Sequence, residues 1–202
     1  MATRLAPSVA AGEISFEDFL RTYDGIHVEW VAGSVVPMTP VSPRNQRIAN
    51  FLVAVFQLLA DATDEIIVLS APVQMKCGES AREPDVMLLR AANASRVTGA
   101  YVDGPADLVV EVISPDSRMR DRGEKFYEYE QAGVGEYWLI EPARRQADQF
   151  RLNAEGIYES VPVAPGGRLE SPLLPGAWVD PAWLWSDRLP KLNDVQRAWG
   201  LS

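Results

Sequence analysis

Cysteine and histidine are almost missing from this sequence: Cys77 and His27 are each the only residue of their kind. A lone cysteine cannot close an intramolecular disulfide, and it excludes zinc sites built from several thiolates. A single histidine removes every multi-histidine metal site. It leaves Ser-His-Asp hydrolysis only if His27 is itself the base. Base is also scarce, with 19 Lys and Arg against 28 Asp and Glu and a formal net charge of −9. That deficit argues against broad electrostatic attraction to nucleic acid but not against a local basic patch. Nor is there an apolar run near the ~20 residues of a membrane-spanning helix. Met1 to Gly12 holds Arg4 and no long hydrophobic stretch, so it does not read as a signal peptide, and a cytoplasmic address is expected.

What is present is the content of one ordinary domain, residues 1–202, with its core at about 14–190. Apolar spacing predicts a short helix over Ile14 to Tyr23 behind a Ser15 cap. A hairpin of His27 to Val31 and Ser34 to Met38 turns at Ala32-Gly33. A long helix over 43 to 61 follows, with Ser42 capping and Pro43 leading. Ile66 to Met75 reads as a strand broken by Pro72, Cys77 to Ala81 as a turn, and Glu83 to Leu89 as a strand. Residues 90 to 106 read as a surface connection. Asp107 to Pro115 is a strand, 120 to 131 a helix closed by Gly133, and Glu136 to Ile140 another strand. Gln146 to Leu152 and Gly156 to Val163 form a hairpin, and a Trp-rich tail seals the core. A strand, a helix of about a dozen residues and a further strand favour a parallel pair, so the fold class is α/β, a mixed sheet flanked by helices.

One stretch needs explaining. Asp107-Leu-Val-Val-Glu-Val-Ile-Ser-Pro115 places a carboxylate, Glu111, among branched apolar residues, where an unpaired charge would cost several kcal/mol. Pro84-Asp85 opens the preceding strand, and neighbouring strands lie ~4.8 Å apart, so two acids can meet across the sheet. Such acids repel unless a cation lies between them, and oxygen ligands without Cys or His suit Mg²⁺ or Mn²⁺. The following helix carries Asp121, Lys125 and Tyr129 on one face at i, i+4 and i+8. Arg118, Arg120 and Arg122 form the only dense basic cluster. From the residues alone, Glu111 either binds a metal or forms an ion pair with Lys125 or an arginine. Asp85 either binds a metal or caps a strand entry. The arginines either contact a nucleic-acid backbone or decorate a loop.

Pro84-Asp85 with Glu111-Val112-Ile113 resembles the PD-(D/E)xK restriction-endonuclease-like superfamily. Gly123-Glu-Lys125, Tyr129, Ala132-Gly-Val134 and Glu136-Tyr-Trp-Leu139 resemble its Uma-two family, over roughly Ile14 to Trp185. The resemblance implies a nuclease fold in which Asp85, Glu111 and the Val112 carbonyl hold Mg²⁺, with Mn²⁺ as substitute. The catalytic lysine, displaced from Ile113 to the next helix, is Lys125, and Glu29 completes the acidic cluster. It implies hydrolysis of DNA by a homodimer, with Arg118, Arg120 and Arg122 beside the substrate. Lys125 would orient a water or neutralise the transition state, and as a general base it would need a pKa well below ~10.4. The competing expectation is a nuclease-fold protein that binds nucleic acid or a partner without catalysis. Asn45 stands where relatives commonly carry a histidine, and Ser34 where they carry an acid.

Overall fold

The computed structural model describes residues 13–163 and 166–201; the reading of Met1 to Gly12 lies outside them. Helix α1 (Phe16–Thr22) begins at Ser15, whose hydroxyl accepts the Asp18 N–H as predicted. Strands β1 (Val28–Val31) and β2 (Ser34–Pro37) form the expected hairpin, with φ of 45° at Ala32 and 79° at Gly33. Two positive φ values give a tight turn whose twist matches its strands. Helix α2 (Pro43–Thr63) starts where the Ser42 hydroxyl accepts the Asn45 N–H.

The chain then departs from expectation. Strand β3 (Ile66–Ser70) stops before Pro72, and β4 (Met75–Cys77) belongs to a different sheet. The stretch expected as a turn at Cys77 to Ala81 is the corner of a hairpin whose return strand is β5 (Ser80–Arg82). Strand β6 (Val86–Arg90), a 3₁₀ turn at Ala91–Arg96 and β7 (Val102–Asp103) lead to β8 (Leu108–Val112). The predicted helix over 120 to 131 opens instead with a π-helical turn, Arg120–Glu124, before α3 (Lys125–Ala132). Then come β9 (Glu136–Glu141), β10 (Gln146–Leu152), β11 (Tyr158–Val161), β12 (Leu169–Glu170) and β13 (Trp178–Val179). Two short helices, α4 (Pro181–Trp185) and α5 (Leu192–Ala198), close the described chain.

The main sheet has the order β11-β10-β9-β8-β6-β3, and β8 and β9 are its parallel neighbours, as a crossover through α3 requires. Gly135 permits the close start of β9, since a Cβ there would stand 2.8 Å from the Asp107 carbonyl oxygen. A second sheet, β2-β1-β5-β4-β7, absorbs the N-terminal hairpin, and the C-terminal hairpin forms the β10–β11 edge of the main sheet.

Alternation along the strands decides what each layer receives. Leu108, Val110 and Val112 of β8 pack with Leu52, Val55 and Phe56 of α2. Each such side chain, fully buried, contributes about 1.5–3 kcal/mol. Val109, with Met87 and Leu89 of β6, faces the layer of α3 and joins Tyr129 and Tyr137. Glu111 shares the parity of Val109 and therefore also turns toward α3. In the second sheet Val28, Trp30 and Ala81 pack on Phe16 and Phe19 of α1, so Glu29 and Arg82 turn to the opposite face. The two sheets thus deliver charged residues to one place beneath α3. No described helix is long and apolar enough to cross a membrane.

Candidate active site

Val86 pairs with Val110 across β6 and β8, so the register carried one residue further sets Asp85 opposite Glu111. Both line a cleft shared with Asn45, Val112, Asp121 and Lys125. Asp85 Oδ2 accepts the Val112 N–H at 2.7 Å. Glu111 Oε1 accepts from Lys125 Nζ at 2.7 Å and from the Tyr129 hydroxyl at 3.1 Å. The i, i+4 placement of Lys125 and Tyr129 thus aims both at one oxygen. The other oxygens of Asp85 and Glu111 receive no donor among the described residues.

Glu29 is fully buried behind Lys125, away from the cleft surface. It accepts from Arg82 Nη1 at 2.9 Å and from the Glu83 N–H at 3.2 Å, and Lys125 Nζ stands 3.3 Å away. Arg82 goes on to bind Glu128 of α3 through two nitrogens, at 2.6 and 2.7 Å. Sequence reasoning missed this arginine because it ends a three-residue strand whose other residues fall in the stretch read as a turn, Cys77 to Ala81. Asp121 also belongs to the site. Its side chain is buried and its Oδ1 has no hydrogen-bond partner among the described residues, with Lys125 Nζ and Arg120 Nε both 3.8 Å away.

The electrostatics follow from this arrangement. Burial pushes the Glu111 carboxyl up to about 8, reinforced by the Asp121 and Asp85 charges and opposed by Lys125. Asp85 is also raised, by burial above all and against its bond from Val112. Burial would strip the proton from Lys125, but Glu111, Glu29 and Asp121 outweigh it and hold the ammonium above the ordinary lysine value. Glu29 shows the opposite balance: burial raises it, yet Lys125 and Arg82 bring it below the ordinary glutamate value.

The expected basic cluster does not gather at the cleft. Arg120 alone of the three lines it. Arg118 pairs with Glu141 at 3.5 Å, and Arg122 binds Asp148 at 2.6 Å and Glu141 at 3.4 Å. The Val112 carbonyl, expected as a metal ligand, accepts Asn45 Nδ2 at 3.2 Å, as does the Ile113 carbonyl. His27 is exposed, with its Nδ1 3.1 Å from buried Glu83.

A family model described as "Putative restriction endonuclease", Uma2, matches residues 16–182. The chain belongs to the Uma2 family. No curated protein matches it. Among solved structures it is similar to the crystal structure of "a putative nuclease belonging to DUF820" from Anabaena variabilis. The TM-score is 0.71 at 15% identity, covering 85% of this chain and 97% of that one. The mixed α/β architecture is therefore shared at low sequence identity.

The donors of the cleft decide whether it suits a divalent cation. Among the described residues no group of three His, Cys, Asp or Glu is placed to hold a metal. Two free carboxylate oxygens and a backbone carbonyl nevertheless suit Mg²⁺, which is held by one or two carboxylates and keeps its waters. The Val112 carbonyl has a second lone pair beside its bond from Asn45. Asp121 Oδ1, without a hydrogen bond among the described residues, adds a negative charge that Lys125 and Arg120 approach only to 3.8 Å. An all-oxygen cleft with surplus negative charge fits a hard dication.

Proposed function

We propose that this Uma2 protein is a Mg²⁺-dependent endonuclease that hydrolyses DNA phosphodiester bonds, with Mn²⁺ able to substitute. The observation that carries the reading is the convergence of Asp85, Glu111 and Asp121 with Lys125 in one cleft. Asp85, Glu111 and the Val112 carbonyl would hold the cation, which supplies Lewis acidity and a more acidic water.

The protein's own residues divide the remaining work. The Val112 N–H fixes Asp85 Oδ2, so its other oxygen faces the cleft in one orientation. Glu111, Glu29 and Asp121 hold the Lys125 ammonium above the ordinary lysine value, which suits a fixed positive charge for the phosphate better than a general base. When Glu111 is engaged by the cation, the ammonium still has Glu29 at 3.3 Å and the unpartnered Asp121 Oδ1 at 3.8 Å to hold it. Tyr129 orients the Glu111 carboxylate from the interior. Cutting both strands of a duplex takes two clefts, so the acting form is a homodimer.

The Lys125–Glu111 pair and the Asn45 bond to Val112 also support a second reading, a non-catalytic nuclease-fold protein that binds nucleic acid or a partner. Calorimetry with Mg²⁺ and Mn²⁺, followed by plasmid cleavage, separates the two. The expected result is metal binding in the wild type and activity losses of about 10²- to 10³-fold in Asp85→Ala, Glu111→Ala and Lys125→Ala. Wild-type protein without metal binding supports the second reading, and activity that survives Asp85→Ala removes the site.

A further inference from the structure

On the reading of the cleft as a DNA site, we infer that Arg44 and Arg47, at the start of α2, bind the phosphodiester backbone of the substrate. The fold neutralises the other basic groups around the cleft. Arg118 and Arg122 are held by Glu141 and Asp148, Arg82 by Glu29 and Glu128, and Lys125 by Glu111 and Glu29. Arg120 has Asp121 at 3.8 Å. Arg44 and Arg47 are exposed and make no ion pair among the described residues. The hydrogen bond of Arg44 goes to a backbone carbonyl, that of Trp185, at 3.1 Å. The two arginines share a cavity of about 190 Å³ with Ser186 and Asp187, and the Asp187 carboxylate pairs with neither.

Their position makes the pair harder to explain by stability. The amino end of a helix is electropositive, and a cation in its first turn is disfavoured by about 0.3–1 kcal/mol. The first turn of α2 holds no acid to offset Arg44. Arg44 is therefore kept where the local field opposes it, and neither arginine has a carboxylate partner among the described residues. The same field and the same guanidinium groups favour a bound phosphate. Arg44 immediately precedes Asn45, which lines the cleft and donates to the Val112 and Ile113 carbonyls, so a duplex gripped at the start of α2 has the cleft within its reach although the two arginines line a separate cavity.

The test is binding of a fluorescein-labelled DNA duplex by anisotropy in EDTA, where no cleavage occurs, over a series of salt concentrations. For the Arg44→Ala/Arg47→Ala variant the expected loss is roughly ten- to hundredfold at 0.1 M salt. The slope of log K against log salt should fall by about 0.9 for each arginine removed. Arg118→Ala should keep the wild-type slope, and Arg44→Lys/Arg47→Lys should restore most of it. A wild-type slope in the double alanine variant overturns the assignment while leaving the DNA reading intact. Wild-type protein that does not bind the duplex at all overturns both.

Discussion

Lys125 has two sides, and they do different things with the same residue type. On one side Glu29 meets Arg82, Lys125 and a backbone N–H, and its carboxyl is held below the ordinary glutamate value despite burial. On the other side Glu111 meets Lys125 and Tyr129 but also faces Asp121 and Asp85, and its carboxyl rises to about 8. Both glutamates are buried in the same cluster. The difference lies in the count of neighbouring charges: the Glu29 side is balanced, whereas the Glu111 side has more acid than base. The balanced side ties the second sheet to α3 and has nothing left to offer a ligand. The unbalanced side costs folding energy that a cation would relieve.

The strongest way to break this comparison is to unbalance the quiet side. Arg82→Met leaves Glu29 and Glu128 without their guanidinium, and losing one partner of a buried ion network costs about 3–5 kcal/mol. Urea unfolding should show that loss, and adding Glu29→Gln should recover part of it. A loss under about 1 kcal/mol would mean that Lys125 alone neutralises Glu29.

The second way is pH. Folding raises the Glu111 pKa from 4.5 to about 8, so folding favours the protonated acid. Its stabilising contribution is complete below pH 4.5 and is lost as the pH climbs toward 8. Glu29 is shifted downward, so its contribution is present above 4.5 and is lost only as the solution becomes more acidic than that. Between pH 5 and 8, of these two glutamates only Glu111 therefore changes its contribution. In EDTA the wild type should lose on the order of 2 kcal/mol across that window. Mg²⁺ should restore much of it, and Glu111→Gln should flatten the profile. An unchanged profile in Glu111→Gln would assign the titration to another group.

Much of the unbalanced side was legible in the sequence, because its signals are local. An acid inside a run of branched residues marked Glu111, Pro84-Asp85 marked the entry of the preceding strand, and helical spacing joined Lys125 to Tyr129. The balanced side was not legible. Arg82 sits on a strand of three residues, too short for alternation to show, and its partners lie 46 and 53 positions away. The same non-locality misdirected the reading of Arg118 to Arg122. Three arginines close in sequence look like a basic patch, but Glu141 and Asp148, brought over by β9 and β10, take up the charge of the outer two. Local sequence shows where charges are dense, and only the fold shows which remain free.

The finest test removes a single donor from the unbalanced side. Tyr129 is fully buried, donates to Glu111 Oε1 at 3.1 Å and packs its ring edge-on to Tyr137 at 5.1 Å. Tyr129→Phe keeps the ring and deletes the hydroxyl, so packing is preserved while the carboxylate loses a bond that favours its charged form. The expected cost is about 1 kcal/mol in urea unfolding. The loss of stability with rising pH should extend to higher pH, because the Glu111 carboxyl is then harder still to ionise. Mg²⁺ affinity should weaken by only a few fold, since the other Glu111 oxygen remains open to the cleft. If the stability cost appears but the pH profile stays where it was, the Tyr129 hydroxyl stabilises the fold without favouring the charged form of Glu111.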